Sequence, residues 1–241
     1  FILHYECLWA RYKNRAAKTY DLPMKKLVLS NWLKDTLKKN HGQNADVFVT
    51  PVDQDMFFCS KKKWNSTRRV CMLHHDYGWK GYEDGIKAVK EVIARGYDLQ
   101  LVVFGEKLED PQQLFDAAGF DFEYHYRPAR ERLRKIYTSC DIFLCPSWYE
   151  GLGMTAMEAM ACRCSLVTTN TGGCLEYAIN GKTALVSAPR DVSALSLNLI
   201  RLLEDETLLK SLSEDGYHRI NEFNWEENCD RLMCLFNENL T

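Results

Sequence analysis

The chain has 241 residues, of which 46% are apolar and 27% charged, a composition typical of an ordinary folded globular protein. This length suits one large domain, or one domain with part of a second. A formal net charge of −2 with interspersed signs argues against nucleic acid as a partner. The sequence has no basic-then-apolar leader and no apolar run near twenty residues, so we expect a cytoplasmic protein.

The first fifty residues predict alternating strands and helices that look like the closing part of a separate α/β domain. Strands are predicted over FILHYE (1–6), 25–30 and 46–51, with helices through WARYKNRAAK and NWLKDTLKKN. We therefore assign 1–58 to the end of one domain and the polar, basic segment 59–67 to a linker. The lysines of KKLVLSNWLKDTLKK are predicted to be a solvated helix face, the alternative being peripheral contact with anionic lipid.

From residue 68 to 222, short β-branched or apolar runs alternate with longer amphipathic stretches, which is the pattern of repeated βαβ units. Six strands are the number found in a doubly wound nucleotide-binding sheet. The predicted strands are 68–75, 99–106, 122–127, 141–146, 165–169 and 183–186. The predicted helices are 82–96, a helix around PQQLFDAAG, 129–140, 153–162, 192–204 and 206–221. A last helix within 223–241 carries an apolar stripe and is expected to pack on something other than the adjoining sheet.

Ten cysteines occur at irregular spacing, and the closest two, Cys162 and Cys164, do not form a CxxC pair. This spacing predicts reduced, mostly buried thiols rather than a metal site. Asp53 and Asp55 are predicted to belong to a turn. We expect no metal site and no cofactor.

The segment CPSWYEGLGMTAMEAMACRCSLVTT is the most informative part of the chain. Glu150 lies in a loop after a strand, where open α/β sheets bind ligands, and Glu158 lies about two turns into the next helix. Backbone N–H groups at the start of that helix suit a phosphate or a sugar hydroxyl. The pair alone is weak support, because acidic residues are common near helix starts for capping reasons.

The run DIFLCPSWYEGLGMTAMEAMACRCSLVTTNTGG resembles the signature of glycosyltransferase family 4, whose members have the two-domain GT-B fold and transfer a sugar with retention. The likeness continues to WKG at 79–81, NG at 180–181 and FNW at 223–225. It implies the carboxyl-terminal domain of a GT-B protein, a Rossmann-like parallel sheet flanked by helices, with a remnant of the amino-terminal domain. The last helix would then cross back to that domain.

The resemblance also implies roles for the acidic loop and the helix that follows it. Glu150 would contact the donor sugar as a catalytic residue, and Glu158 would hold the ribose hydroxyls. The backbone amides of Gly151, Leu152 and Gly153 would approach the sugar or the phosphates. Paired carboxylates are strong acceptors for hydroxyls, so these roles make chemical sense.

A second expected group follows the first strand of the large sheet. Lys80 stands where the family has a lysine for the diphosphate, and we expect it to be catalytic; the alternative is a surface lysine in a polar turn. His75 replaces the usual arginine and is assigned to donor binding. Arg68 and Arg69 are expected to help stabilise the diphosphate charge.

The turn TGGCLE contributes Gly172, Gly173 and Glu176 to the expected donor pocket, with N–H groups able to meet an anion. The alternative is that TGGCLE is a turn without a role in binding. Arg163 stands where the family usually has a glycine, so we expect a left-handed arginine that costs about 1 kcal/mol. His4 is either a donor contact, as the family suggests, or a structural histidine.

These assignments predict a retaining transfer from a nucleotide sugar to a hydroxyl of a glycan or lipid-linked acceptor, with peripheral contact to a membrane surface. The leaving diphosphate would help to deprotonate the incoming hydroxyl. The alternative is a non-catalytic nucleotide-sugar-binding subunit, or a fragment, that needs a separate acceptor-binding chain. An epimerase or a phosphorylase is a third class, against which the glutamate pair argues.

Overall fold

The computed structural model describes residues 1–106 and 111–237. Its centre is a six-stranded parallel sheet in the order β5-β4-β3-β6-β7-β8. The amino-terminal part holds a separate two-stranded parallel sheet, β1 (Leu27–Val28) and β2 (Asp46–Val47). The strands of the large sheet are β3 (Arg68–His74), β4 (Leu99–Gly105), β5 (Glu123–Tyr126), β6 (Ile142–Cys145), β7 (Ser165–Thr169) and β8 (Ala184–Ser187).

The helices described cover both faces of the large sheet, with two more in the amino-terminal part. The helices are α1 (Lys13–Tyr20), α2 (Asn31–His41), α3 (Tyr82–Ala94), α4 (Pro111–Ala118), α5 (Arg130–Ser139), α6 (Met154–Ala161), α7 (Val192–Glu204), α8 (Glu206–Asn221) and α9 (Trp225–Asn237). The α/β class and the parallel sheet predicted from the sequence are confirmed. Residues 238–241, included in the predicted last helix, lie outside the described residues.

The strand order places a topological switch point in the middle of the sheet. β3 pairs with β4 on one side and with β6 on the other, so the chain winds in opposite directions from these two strands. The loops that leave the carboxyl ends of β3 and β6 therefore diverge and open a crevice between them. Lys80 follows β3 and Glu150 follows β6, so the topology brings their loops to one place.

The core lies on both sides of the sheet because successive strand residues point to opposite faces. Val70 and Met72 of β3 belong to the cluster under α3 and α7, whereas Cys71 belongs to the cluster under α6. Leu33 and Leu37, one turn apart on α2, belong to the cluster under α6. Fully burying one such side chain stabilises a fold by about 1.5–3 kcal/mol. The amino-terminal part is therefore packed onto the sheet through α2.

Helix α2 also decides the orientation of the lysine-rich segment. The Ser30 hydroxyl accepts from the Leu33 N–H at 3.3 Å at its start, and left-handed Gly42 ends it. Lys34, Lys38 and Lys39 are exposed on the opposite face. They form the predicted solvated face, whereas Lys26 of the same segment is buried and donates to the Leu22 and Met24 carbonyls, which the prediction did not include.

The predicted strand over 1–6 is wrong. Only Ile2 pairs, as a single bridge to Val28, and Glu6–Leu8 is a 3-10 turn. The cause is the Tyr20 side chain, whose ring stacks on Tyr5 at 5.7 Å and whose hydroxyl accepts from the Glu6 N–H at 2.9 Å. These contacts bend the chain away from the sheet after its first residues.

Two segments assigned to connections make specific contacts. In the predicted linker, the Asn65 side-chain amide donates to the Ser139 carbonyl at 3.0 Å and to Asp141 at 3.0 Å. On α9, which has no buried residue, the Asn228 amide donates to the Val49 carbonyl at 3.0 Å. This bond ties α9 to the amino-terminal part of the chain.

The ten cysteines are all free thiols, and seven of them are buried. Burial raises the pKa of Cys145 to about 11, which keeps this thiol protonated at neutral pH. The prediction of reduced, mostly buried cysteines is confirmed.

Arg163 adopts the left-handed conformation, with φ of 61°, as predicted. Its Nε donates to the Cys59 carbonyl at 3.0 Å, its guanidinium lies 3.8 Å from the Tyr217 ring centroid, and it pairs with Glu214. These contacts fix the end of α6 against α8 and the segment after residue 58.

Replacing Arg163 with glycine is expected to destabilise the protein by about 1 kcal/mol, even though glycine relieves the backbone. Relief is worth about 1 kcal/mol, whereas the hydrogen bond and the cation–π contact contribute about 1 kcal/mol each. Urea unfolding of Arg163→Gly, with Arg163→Lys as control for the lost guanidinium, measures the balance. A glycine variant more stable than the wild type would contradict it.

Candidate functional site

The two loops at the switch point touch each other directly. The loop after β3 ends in a 3-10 turn, Gly78–Lys80, followed by Gly81 at φ of 69°. A Cβ on Gly81 would lie 2.0 Å from the Pro146 carbonyl oxygen, in the loop after β6. Only glycine permits this approach, which sets the spacing of the loops that carry Lys80 and Glu150.

Lys80 and Glu150 form an ion pair at this place. The Lys80 ammonium donates to both carboxylate oxygens, at 2.8 and 3.0 Å, and Glu150 is only 5% exposed. The Glu150 backbone is held as well, because its N–H donates to the Thr171 carbonyl and its carbonyl accepts from the Gly173 N–H. The structure therefore brings together the two residues predicted to be catalytic, as a direct pair that the sequence did not predict.

The start of α6 faces the same cavity. Gly153, at φ of 92°, precedes the helix and provides no side-chain cap. Within the described residues, the N–H groups of Met154 and Thr155 donate to no acceptor. Both residues line a cavity of about 360 Å³ together with Lys80, Glu150 and Leu152. Free N–H groups and the positive end of the helix dipole favour an anion here.

Gly151 has a packing role. A Cβ there would lie 1.8 Å from the Leu3 carbonyl oxygen, so the loop after β6 lies against the first residues of the chain. Leu152 is buried, with 1% exposed, at the floor of the cavity. Of the three positions whose amides were expected to approach a ligand, Gly151 and Leu152 are buried and Gly153 is partly exposed.

Glu158 lies apart from the ion pair. The Tyr137 hydroxyl donates to the Glu158 carboxylate at 3.3 Å. Glu158 does not line the cavity that contains Lys80 and Glu150. Burial raises the pKa of Glu158 to about 7. The two glutamates can contact one ligand only if that ligand spans about two turns of helix.

The raised pKa predicts that Glu158 makes stability depend on pH. The carboxyl of Glu158 binds its proton more tightly in the folded protein, where its pKa is about 7, than in the unfolded chain, where the ordinary pKa is 4.5. The free energy of unfolding therefore falls as pH rises from about 4.5 to about 7. We expect Glu158→Gln to remove about 2 kcal/mol of this fall. Urea unfolding of both proteins at pH 5 and pH 8 measures the difference, and parallel curves would contradict the assignment.

His75 lies in a row of aromatic rings beside Lys80. Its Nδ1 accepts from the Tyr77 N–H at 3.1 Å, and its ring stacks on Tyr77 at 4.4 Å. Tyr77 stacks on Trp79 at 4.2 Å, and Trp79 on Trp9 at 4.8 Å. These four residues, the aromatic row, line a second cavity of about 600 Å³ with Lys80, His4 and Glu6.

The TGGCLE turn does not offer the free N–H groups expected of it. The Gly172 N–H donates to the Asn170 side chain at 3.1 Å, and the Gly173 N–H donates to the Glu150 carbonyl at 3.1 Å. Glu176 accepts from the Asn31 N–H at 2.6 Å, at the start of α2. A Cβ on Gly172 would lie 2.4 Å from the Trp32 ring. The turn therefore supports the site indirectly, through its backbone hydrogen bonds with Glu150.

Arg68 and Arg69 were expected near the diphosphate, and this expectation is wrong. Both open β3, so they lie at the amino edge of the sheet, opposite the crevice. Arg68 pairs with Glu206 and Arg69 with Glu123. The order of strand and loop in the sequence already implies this placement.

His4 and Asp53 were left with alternatives. His4 lines both cavities, and its buried Nδ1 has no hydrogen-bond partner among residues 1–106 and 111–237. This position suits a ligand contact at the junction of the cavities. Asp53 accepts from the Met56 N–H at 3.1 Å and pairs with Arg130, which is the predicted turn role.

The chain matches a model of the family described as glycosyl transferases group 1 over residues 53–219. It belongs to this family. One relative, the capsular polysaccharide biosynthesis glycosyltransferase CapM of Staphylococcus aureus, is 27% identical over 159 residues, covering 61% of this chain and 41% of the relative. Another, the N,N'-diacetylbacillosaminyl-diphospho-undecaprenol alpha-1,3-N-acetylgalactosaminyltransferase of Campylobacter jejuni, is 34% identical over 54% of this chain and 36% of its own.

Solved structures share the fold. A sucrose-phosphate synthase from Thermosynechococcus elongatus has a TM-score of 0.81 at 20% identity, covering 96% of this chain and 63% of its own. TarM of S. aureus, in a complex with UDP, has a TM-score of 0.80 at 15% identity, covering 93% and 46%. The fold is that of GT-B glycosyltransferases. The chain spans about half the length of the curated relatives it matches.

Among the described residues, no helix combines the length and the apolarity needed to cross a bilayer.

Proposed function

We propose that this chain binds a nucleotide sugar at the switch point and transfers the sugar, with retention, to an acceptor hydroxyl. The observation that carries the proposal is the ion pair of Lys80 with the buried Glu150, beside the uncapped start of α6. Such a place supplies a cation and free amides for a diphosphate and a fixed carboxylate for hydroxyls.

In this proposal the diphosphate displaces Glu150 as the acceptor of the hydrogen bonds from the Lys80 ammonium. The Met154 and Thr155 amides hold phosphate oxygens, and the freed Glu150 carboxylate accepts from sugar hydroxyls. Glu158, further along α6, accepts from the ribose hydroxyls, and His75 borders the diphosphate. Gly172, Gly173 and Glu176 hold the loop in shape.

The reaction needs no metal in this scheme, because Lys80 and the start of α6 supply fixed positive charge that stabilises the negative charge growing on the leaving diphosphate. One diphosphate oxygen takes the proton from the incoming hydroxyl on the same face of the sugar, which gives retention. The protein mainly positions the two reactants.

The acceptor is proposed to be a glycan or a lipid-linked saccharide, with peripheral contact to a cytoplasmic membrane surface. The names of relatives from S. aureus and C. jejuni support the class of acceptor. We further propose that 1–58 belongs to the acceptor side, 59–67 to the connection, 68–222 to the donor domain and 223–241 to the crossing helix.

A thermal-shift screen of uridine, guanosine and adenosine diphosphates and their sugars tests donor binding. We expect one nucleotide to raise Tm by several degrees, because a ligand that binds only the folded state stabilises it. Proton NMR of the first product formed from the best donor reports the anomeric configuration of the transferred sugar. No shift with any nucleotide, or an inverted product, would contradict the proposal.

A further inference from the structure

The cavity beside the donor site has the features of a saccharide site. It is larger than the Lys80–Glu150 cavity and shares His4 and Lys80 with it. The two cavities therefore meet at the residue that would hold the diphosphate. A second substrate in the larger cavity would lie next to the reacting end of the donor, whereas Glu158 and the ribose lie at the other end of α6.

The walls of this cavity combine aromatic rings with unused hydrogen-bonding groups. Tyr77 is 52% exposed, and within the described residues neither its hydroxyl nor the Trp79 indole N–H has a partner. Because His75 Nδ1 accepts from a backbone N–H, the neutral ring carries its proton on Nε2. Glu6 accepts from the Trp9 indole N–H through one carboxylate oxygen, and its other oxygen has no hydrogen-bond donor in the described part of the chain.

The charges around the cavity disfavour a further phosphate in it. In the proposed reaction the donor diphosphate occupies Lys80, the cation at the edge of the cavity, and the lining also carries the carboxylate of Glu6. A phosphate placed here would meet a like charge without a free cation, which is unfavourable. Apolar rings with a few placed donors and acceptors suit a neutral ring that carries hydroxyls.

We infer that the aromatic row and Glu6 form the acceptor subsite, and that it takes a neutral saccharide. The inference rests on the proposed function, since it defines the second substrate of the same reaction. It distinguishes this chain from similar proteins whose names include phosphorylated sugars, such as mannosylfructose-phosphate synthase.

Saturation-transfer NMR tests the inference on the chain, using methyl glycosides of glucose, galactose, mannose and N-acetylglucosamine, with glucose 6-phosphate as the charged comparison. Spectra are recorded with the best nucleoside diphosphate present. At least one neutral glycoside is expected to receive saturation and to exceed glucose 6-phosphate at least fivefold. Trp79→Ala and the half-exposed Tyr77→Ser should each reduce the signal at least fivefold, and Trp225→Ala, on α9, should leave it unchanged.

The inference fails if no neutral glycoside receives saturation, if the signal survives both substitutions, or if glucose 6-phosphate binds more tightly. Nucleotide binding in the same samples separates this failure from that of the proposed function. Nucleotide binding without glycoside binding overturns the acceptor subsite alone. Glycoside binding without nucleotide binding overturns the donor site.

Discussion

Replacing Lys80 with methionine is expected to weaken nucleoside diphosphate binding about 10- to 100-fold and to abolish transfer. A hydrogen bond from a charged group contributes about 1.5–3 kcal/mol, which corresponds to this range of affinity. The substitution should also destabilise the protein by about 3 kcal/mol, because it leaves the buried Glu150 carboxylate without its cation. Isothermal titration gives the affinity, and urea unfolding gives the stability.

A double variant separates the two effects of Lys80. Lys80→Met with Glu150→Gln removes both charges, so stability should return to within about 1 kcal/mol of the wild type while nucleotide binding stays weak. Lys87→Met, an exposed lysine on α3, is the matched control and should change neither quantity. Recovery of nucleotide binding in the double variant would contradict the role of Lys80.

Gly151→Ala is expected to destabilise the protein by about 2–3 kcal/mol and to disturb donor binding as well. Its new Cβ would lie 1.8 Å from the Leu3 carbonyl oxygen, so one of the two backbones must move. Moving residues 1–4 displaces His4 from the junction of the two cavities. Thermal unfolding should show a Tm lower by about 4–12 °C for a protein of this size.

Gly78→Ala is the control for this substitution. Gly78 lies in the loop of Lys80, and a Cβ there meets nothing within 4 Å. Its effect should stay within about 0.5 kcal/mol. Equal losses in the two variants would mean that the contact between Gly151 and Leu3 is unimportant.

Much of the fold was predictable because the signal is periodic. Alternating apolar runs and amphipathic stretches gave all six strands of the large sheet within a few residues, and the helices α7 and α8 at their observed bounds. Short strands were harder. Two-residue β1 and β2 carry little pattern of their own, and the bend after Ile2 depends on Tyr20, which is distant in sequence.

The site was predicted in its parts rather than in its contacts. The loops of Lys80 and Glu150 could be placed at one edge, because both follow parallel strands. Their ion pair could not, since it depends on the approach of Gly81 to Pro146. The tyrosine that supports Glu158 was missed, because Tyr137 lies on a different helix.

The aromatic row was missed, although a signal was present. The segments HYECLW and HHDYGWKG hold several aromatic residues in loops, where apolar rings are not needed for the core. Their stacking joins Trp9 to Trp79 over seventy positions of the sequence, which no local pattern can indicate. The prediction of free N–H groups in the TGGCLE turn was wrong for another reason. The Gly172 and Gly173 N–H groups donate to the Asn170 side chain and to the Glu150 carbonyl.

The most direct test of the donor site is a crystal structure of the chain with its best-binding nucleoside diphosphate. We expect a phosphate oxygen at about 3 Å from the Lys80 ammonium and from the amides at the start of α6, with the ribose hydroxyls on Glu158. A nucleotide bound elsewhere, with the Lys80–Glu150 pair undisturbed, would contradict the account.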